Sequence, residues 1–239
     1  MTVSISGATI SGGINIGDAT VITNGLIMYV DAGNSSSYSG TGTTWTDLSG
    51  QNNNLTIVGA PTYNVSTGFT FPGADITKYV ISNPFNNMPT TTLSYEIWLK
   101  TATGTSGIIS YASTAADNDF LMYGPENIGL YTAGGAVASG VNITDNNWKQ
   151  VVRTSNRTSG AENLYVNGIL QFNTTLAPGT LVTNGGSFVL AQEQDLVGGG
   201  FDPNQAFTGN MIIVRLYNKV LSDAEVMTNF TAQRGRFSI

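Results

Sequence analysis

Short runs in which apolar and polar residues alternate recur along most of this 239-residue chain, with turn-forming residues between them. Alternation with a period of two predicts strands that bury one face. Many short strands, regular turns and no long helical period predict an all-β fold, a two-sheet antiparallel jelly-roll sandwich. The predicted strands are Leu26–Val30, Leu55–Val58, Leu93–Leu99, Gly107–Ser110, Phe120–Tyr123, Trp148–Thr154, Asn163–Val166, Gly168–Phe172, Ser187–Ala191 and Met211–Tyr217.

Two local signals refine this expectation. Asn167 and Gly168 separate two of the runs and predict a type I′ hairpin, because both residue types tolerate a positive φ. Near the C-terminus, the stretch from Leu221 to Phe230 predicts one short helix, since Ser222 and Glu225 have the spacing of a capping box. We expect the apolar positions of this helix to pack against the sandwich.

Residues 1–22 form a predicted strand-like arm, and residues 23–239 form the predicted jelly-roll domain. Apolar and small polar residues alternate over the first twenty positions, and no charged residue precedes Asp18. Such a strand either packs on its own domain or adds a strand to a neighbouring protein, and the pattern leaves both open. The same stretch has no basic n-region and no apolar run that predicts a signal peptide or a membrane span.

The chain contains neither cysteine nor histidine. No disulfide is therefore expected, and neither a thiol nor an imidazole is available for catalysis or for a zinc site. Nine basic residues are scattered over a chain of net charge −6. They form no stripe that would follow a phosphate backbone, so we expect no nucleic-acid binding.

The tryptophans and the C-terminal arginines are predicted to be structural or solvated. Trp45, Trp98 and Trp148 each stand in or beside an apolar strand. We therefore expect them in the core, not on a platform for sugar rings. Arg234 and Arg236 follow the predicted helix, and we expect them to lie in a solvated terminus.

The most informative segment is residues 192–205, which holds three carboxylates and three glutamine side-chain amides in fourteen positions. Calcium binds about six to eight oxygens in flexible geometry, so oxygen donors around a glycine-rich bend suit it. Without a cation, carboxylates packed this closely would repel one another. The donors are Gln192, Glu193, Gln194, Asp195, Asp202 and Gln205.

A second cluster of oxygen ligands, Asp117-Asn118-Asp119, lies upstream. The chain has 9 basic and 15 acidic residues, and the two clusters together hold five of those acids. Most of the charge excess thus lies in two short segments, which favours a local ion site over a generally acidic surface. Two polar loops with a chance excess of acids are the alternative.

Several motifs give the chain a family resemblance. Residues 25–50 are typical of laminin-G-like modules in bacterial and tailed-phage virion proteins. Four later stretches resemble the pentraxin family, and more broadly the chain is similar to concanavalin A-like jelly rolls. The string Gln-Glu-Gln-Asp, followed by the glycines and Phe-Asp-Pro-Asn-Gln, is the most specific of these motifs. The four stretches are Gly107–Asp119, Leu164–Gly168, Leu190–Gly209 and Val220–Val226.

The pentraxin resemblance implies a site for one or two calcium ions. Gly198, Gly199 and Gly200 would let the loop turn back on itself, and Asp119 would be a flanking acid. The ligands of the first ion would be Asp117, Asn118, Glu193, the backbone carbonyl of Gln194 and Asp195. The ligands of the second ion would be Glu193, Asp195, Asp202 and Gln205.

The chain also departs from the pentraxin pattern. Pentraxins carry a disulfide between the strands that match those around Glu96 and Arg153, and we predict a buried or half-buried Glu96–Arg153 ion pair in its place. Ala138 falls where phosphocholine-binding members carry an acid, while Tyr123 offers an aromatic wall to a ligand. Phosphocholine recognition is therefore not expected, whereas calcium would still bridge to hydroxyls or phosphate.

The resemblance implies a calcium-binding, non-enzymatic module on a virion, or on an extracellular or bacterial cell surface. Its partner would be a glycan or another oxygen-rich ligand. The alternative is a virion decoration or tail component that calcium only stabilises and that contacts other virion proteins through residues 1–20. Hydrolases of this fold place two acids on one strand, whereas the matching strand here has only Glu96. Pentameric relatives and trimeric phage appendages imply a homo-oligomer whose subunit number stays open.

Overall fold

The computed structural model describes residues 20–104 and 106–239, which form two stacked antiparallel sheets. The jelly-roll sandwich expected from the sequence is confirmed. The strands are β1 Leu26–Asp31, β2 Thr44–Trp45, β3 Leu55–Val58, β4 Thr62–Asn64, β5 Gly68–Pro72, β6 Tyr79–Phe85, β7 Thr92–Lys100, β8 Gly107–Ala112, β9 Phe120–Tyr123, β10 Gly129–Thr132, β11 Gly135–Ala138, β12 Lys149–Asn156, β13 Ala161–Val166, β14 Ile169–Thr175, β15 Gly186–Leu190 and β16 Thr208–Tyr217.

Each sheet has eight strands. The first sheet has the order β14-β13-β12-β7-β16-β5-β4. In this sheet β16 pairs with β5 through its first residues and with β1 through its last residues. The second sheet has the order β11-β10-β9-β8-β15-β6-β3-β2. Six of these strands were not predicted: β2, β4, β5, β6, β10 and β11.

The predicted hairpin and helix both form. Asn167 and Gly168 have φ values of 52° and 80°, as the turn between β13 and β14 requires. Helix α1 spans Asp223–Gln233, and Ser222 and Glu225 form the reciprocal capping box. The helix lies on the outer side of the first sheet, where the ring of Phe230 stacks on that of Trp98 at 5.9 Å.

The tryptophans occupy the places that the sequence predicts. Trp45 and Trp98 are fully buried. Trp148 is half-buried and packs on Phe237, with 4.9 Å between ring centroids. None of the three therefore lies free as a flat platform for a ligand.

Arg236 is exposed, as expected of a solvated C-terminus, but it also forms an ion pair that the sequence did not predict. Its guanidinium bonds both oxygens of Asp31, at 2.6 and 3.0 Å, and Asp31 is almost fully buried. The next residue, Phe237, is buried against Trp98 and brings the arginine over the end of β1. Arg234 is exposed and lies over the Phe230 ring.

The predicted Glu96–Arg153 ion pair does not form. Glu96 pairs with Arg215 at 2.7 Å, and Arg153 pairs with Glu162 at 2.9 Å. Glu96 stands opposite Val152 in the sheet, one position away from Arg153. Because side chains alternate between the faces of a strand, a shift of one residue places the two groups on opposite sides.

The predicted arm lies outside the described residues except for its last three positions. At that point the backbone N–H of Ile22 donates to Asn229 Oδ1 at 2.8 Å, which fixes the start of the described chain on α1. In the part of the chain that the structure describes, no helix is long and apolar enough to cross a membrane.

Candidate metal-binding site

The acidic segment begins directly after β15 and turns sharply. Ala191 adopts a left-handed φ of 70°, and the backbone then passes close to β8. A Cβ at Gly107 would lie 2.6 Å from the Glu193 nitrogen, so only glycine allows this approach. The segment is thereby held against the strands of the second sheet.

Two of the predicted amides brace the segment through their side chains. Gln192 Nε2 donates to the carbonyls of Asp75 and Lys78, at 3.0 and 3.3 Å. Gln194 Nε2 donates to Ser110 Oγ at 3.0 Å, while its Oε1 accepts from the Gly198 N–H at 2.8 Å. The Gln194 side chain is thus fully occupied, and only its backbone carbonyl remains for a ligand role.

Four of the predicted ligands line one cavity of about 160 Å³. Buried oxygens of three of them have no hydrogen-bond partner within the described chain: Asn118 Oδ1, Glu193 Oε2 and Gln205 Oε1. All three atoms are acceptors, and a buried acceptor without a donor is costly. The cavity is lined by Asn118, Leu121, Tyr123, Tyr131, Glu193, Asp195 and Gln205.

The surroundings of the Glu193 carboxyl group disfavour its ionised form. Burial raises its pKa to about 7, and the nearby charges of Asp195, Asp117 and Asp202 act in the same direction. The two acidic segments, distant in sequence, therefore lie within electrostatic range of each other. A cation beside Glu193 would reverse both effects, because it would favour the ionised form.

The remaining acids are placed less centrally. Asp117 is exposed, and its Oδ1 accepts from the Asn118 N–H at 2.8 Å. Asp202 caps the short 3-10 turn Pro203–Gln205 and accepts from the Asn204 N–H at 2.8 Å. Over residues 20–104 and 106–239, no three Asp, Glu, His or Cys side chains come close enough to hold a metal by themselves. Any ion here would also need the amide and carbonyl oxygens.

Asp119 has a structural place, as a flanking acid. It is buried, and its Oδ2 accepts from Ser113 Oγ at 2.5 Å and from the Thr183 N–H at 2.9 Å. Burial raises its pKa, while these two hydrogen bonds lower it. Asp119 thus ties the loop after β8 to the chain before β15.

A larger cavity of about 340 Å³ adjoins the first and shares Tyr123 and Tyr131 with it. The two rings meet edge to face at 6.3 Å. Burial raises the pKa of Tyr123, and Tyr131 and Glu193 add to the shift. Ala138 lines the far part of this cavity. Tyr131 was missed in the sequence, because β10 is only four residues long and follows a turn.

A buried cluster of Arg153, Arg157 and Glu162 packs against the strands that line the cavity, and it was not predicted from the sequence either. Arg153 donates to the carbonyls of Leu121 and Tyr131, at 2.9 and 3.1 Å, and so joins β9 to β10. Glu162 balances Arg153 and also accepts from Arg157 at 2.7 Å. Pairing across three strands has no local pattern, so only the alternation of strand residues hints at it.

A model of the Pentaxin family matches residues 67–237, and the chain therefore belongs to the pentraxin family. Pentraxin-4 from Homo sapiens is 30% identical over 165 residues, which cover 65% of this chain and 34% of that protein. The chain thus spans about a third of the length of this relative. C-reactive protein from Rattus norvegicus is 27% identical over 161 residues, which cover 66% of this chain and 70% of the relative.

A solved structure has the same fold. A native heptameric SAP-like pentraxin from Limulus polyphemus superposes with a TM-score of 0.58 and 24% identity. The superposition covers 66% of this chain and 78% of that chain. The family match includes both acidic segments and all strands that carry the two adjoining cavities.

Proposed function

We propose that this protein is a calcium-dependent, non-enzymatic binding module of a virion or cell surface that recognises a glycan or another oxygen-rich ligand. The proposal depends mainly on one observation: three buried acceptor oxygens, of Asn118, Glu193 and Gln205, share one cavity without a donor. A hard cation is the partner that would satisfy all three, since calcium takes carboxylate and amide oxygens together.

The proposed ligands fall into two groups. Glu193, Asp195, Asn118 and Gln205 line the cavity, while Asp117 and Asp202 act on Glu193 through their charge. The proposed set is completed by the Gln194 carbonyl. The mixture of acids and amides fits one or two calcium ions, whereas zinc would favour imidazole and thiolate ligands, which this chain lacks.

Bound calcium would supply a positive centre at the mouth of the cavity for hydroxyl, carboxylate or phosphate oxygens of a ligand. The chain's own residues would then shape the rest of the contact. Tyr123 and Tyr131 form a shared aromatic wall between the two cavities, suited to the apolar face of a sugar ring. Ala138 adds a small apolar surface and no charge.

The proposal of a non-enzymatic role is supported by the position of Glu96. It is fully buried beneath α1 and bonded to Arg215 and Asn229, at 2.7 Å each. A carboxylate that is neutralised and closed off from solvent does not reach a substrate. It therefore does not serve as one of the two acids that glycoside hydrolysis requires.

Calorimetric titration with calcium tests the metal site. We expect the intact chain to bind one or two ions, and we expect Glu193→Gln to lower the affinity at least about tenfold, because it removes the buried charge while keeping the size. Asp145→Asn is the matched control, since Asp145 is an exposed acid that lines neither cavity. Equal affinity in all three proteins would refute the site.

A glycan array, read with calcium and then with a chelator, tests the ligand. Binding that chelation abolishes is the expected result. Calcium binding without any ligand would favour the second candidate function, a virion component that calcium only stabilises. The contact between Ile22 and Asn229 holds the last residue of the predicted arm on the domain's own helix, and the contact of residues 1–20 with other virion proteins stays a prediction.

A further inference from the structure

A third cavity, of about 330 Å³, is lined mainly by residues that carry side-chain amides. Six of its nine lining residues are asparagine or glutamine, and none is charged. Ile27, Met88 and Pro89 supply the apolar part. The amides are Gln51, Asn53, Asn86, Asn87, Asn184 and Asn218.

The frame of this cavity is held by its own hydrogen bonds. Asn53 Nδ2 donates to the Ile27 carbonyl at 2.5 Å, and Asn53 Oδ1 accepts from Asn87 Nδ2 at 2.8 Å. Asn184 Nδ2 donates to the Asn86 carbonyl at 2.7 Å, and its Oδ1 accepts from the Met88 N–H at 3.1 Å. These bonds hold the lining residues in place before a ligand binds. Such preorganisation lowers the entropic cost of binding.

Three other amides are available to a ligand. Within the described chain, no residue forms a hydrogen bond with the side chain of Gln51, Asn86 or Asn218, and all three residues are exposed at the rim. Each offers one acceptor oxygen and two donor hydrogens. Met88 is buried at the base of the cavity and provides an apolar contact.

This cavity is separate from the proposed calcium site. Asn184 lies just before β15 and Glu193 just after it, so the two sites lie at opposite ends of a five-residue strand, about 17 Å apart along the strand. Ile27, Gln51 and Asn53 also precede residue 67, where the family match begins. The cavity is thus built in part by chain outside the family match.

We infer that this cavity is a second, metal-independent binding site for a neutral saccharide. Uncharged amides that donate and accept equally match the hydroxyl groups of a sugar, whereas an anion or a cation would find no opposite charge. Ile27, Met88 and Pro89 suit the C–H face of a pyranose. The volume accommodates a monosaccharide or one end of a chain.

Binding in excess EDTA tests this inference independently of the calcium site. The probes are maltotriose, chitotriose, mannobiose and galactobiose, titrated into the labelled protein and followed by NMR of its backbone and side-chain amides. We expect at least one probe to bind and to shift the Asn86 and Asn218 signals. The double variant Asn86→Ala/Asn218→Ala should then bind that probe about tenfold or more weakly, as loss of two hydrogen bonds implies.

Asn173→Ala is the matched control, because Asn173 is an exposed asparagine on β14, the far edge of the first sheet. We expect it to bind like the unmodified chain. The altered side chains are exposed and bond to no residue within 20–104 and 106–239, so the double variant should remain folded. The inference is overturned if no probe binds in EDTA, if the shifts occur at Tyr123 and Tyr131, or if the double variant binds as tightly as the control.

Discussion

A buried charge pair between Glu96 and Arg215 joins β7 to β16, and its removal should have a large cost. Both side chains are fully buried, and Glu96 Oε1 accepts from Arg215 at 2.7 Å. The same carboxylate also accepts from Trp98, Gln150 and Asn229. Burial alone lowers the pKa of Arg215, but the Glu96 carboxylate, Tyr217 and Tyr29 together outweigh it and raise that pKa above its ordinary value.

The expected magnitude follows from this burial. Arg215→Met leaves a carboxylate in the interior with only neutral donors, and Glu96→Gln leaves an uncompensated guanidinium. Each change should lower the free energy of unfolding by about 3–5 kcal/mol. The double variant contains neither charge, so its loss should be smaller than the sum of the two by about 3 kcal/mol. For a chain of this size, each single change would lower the Tm by roughly 6–20 °C.

Urea denaturation followed by circular dichroism measures these free energies, and a second cycle provides the control. Glu96→Gln combined with Arg153→Met should show a coupling below about 0.5 kcal/mol, because the two side chains lie on opposite faces of the sheet. A strong coupling of Glu96 to Arg153, with additive losses at Glu96 and Arg215, would refute the assignment. A loss below about 1 kcal/mol for Arg215→Met would contradict the burial argument.

Three further changes have defined outcomes. Calcium at about one hundred times its Kd should raise the free energy of unfolding by about 2.7 kcal/mol. Thermal melts with and without calcium should show that Glu193→Gln loses this stabilisation. An equal calcium stabilisation in the variant would contradict the site. Burial raises the pKa of Tyr111 to about 12 in the folded chain. As the pH rises from 10 to 12, Tyr111 therefore ionises in the unfolded chain before it ionises in the folded one. This favours the unfolded state, so the intact chain loses stability over that range. The stability advantage over Tyr111→Phe, measured by urea titration, should therefore shrink by about 1–2 kcal/mol across that range, and a constant advantage would be evidence against the shift. Arg236→Met should lower the free energy of unfolding by about 1–2 kcal/mol, because Asp31 is buried, whereas the control Arg234→Met should lower it by less than about 0.5 kcal/mol. Equal losses in chemical denaturation would exclude a specific Arg236–Asp31 pair.

The elements of the fold that could be predicted are those whose local sequence has a recognisable pattern. Strand β7 alternates, β9 and most of β16 are apolar runs, and the Asn167-Gly168 turn and the Ser222 cap are fixed by local backbone requirements. Strands β10 and β11 have four residues each, both begin with a glycine and they are joined by Ala133 and Gly134, so no strand pattern emerges. Strand β6 contains Pro84, which breaks the ordinary strand pattern.

Only part of the candidate site could be predicted, because some of its residues are brought together by contacts between strands. Clustering along the chain revealed Glu193 and Asp117, because most of the acid excess is concentrated there. Tyr131 contributes through register, because it meets Tyr123 on the neighbouring strand β9, whereas Arg153 reaches from β12 of one sheet to β9 and β10 of the other. The wrong partner for Glu96 has the same origin: a shift of one residue between β7 and β12 decides which face a charge occupies. Composition therefore locates a site of this kind, whereas strand register decides which side chains complete it.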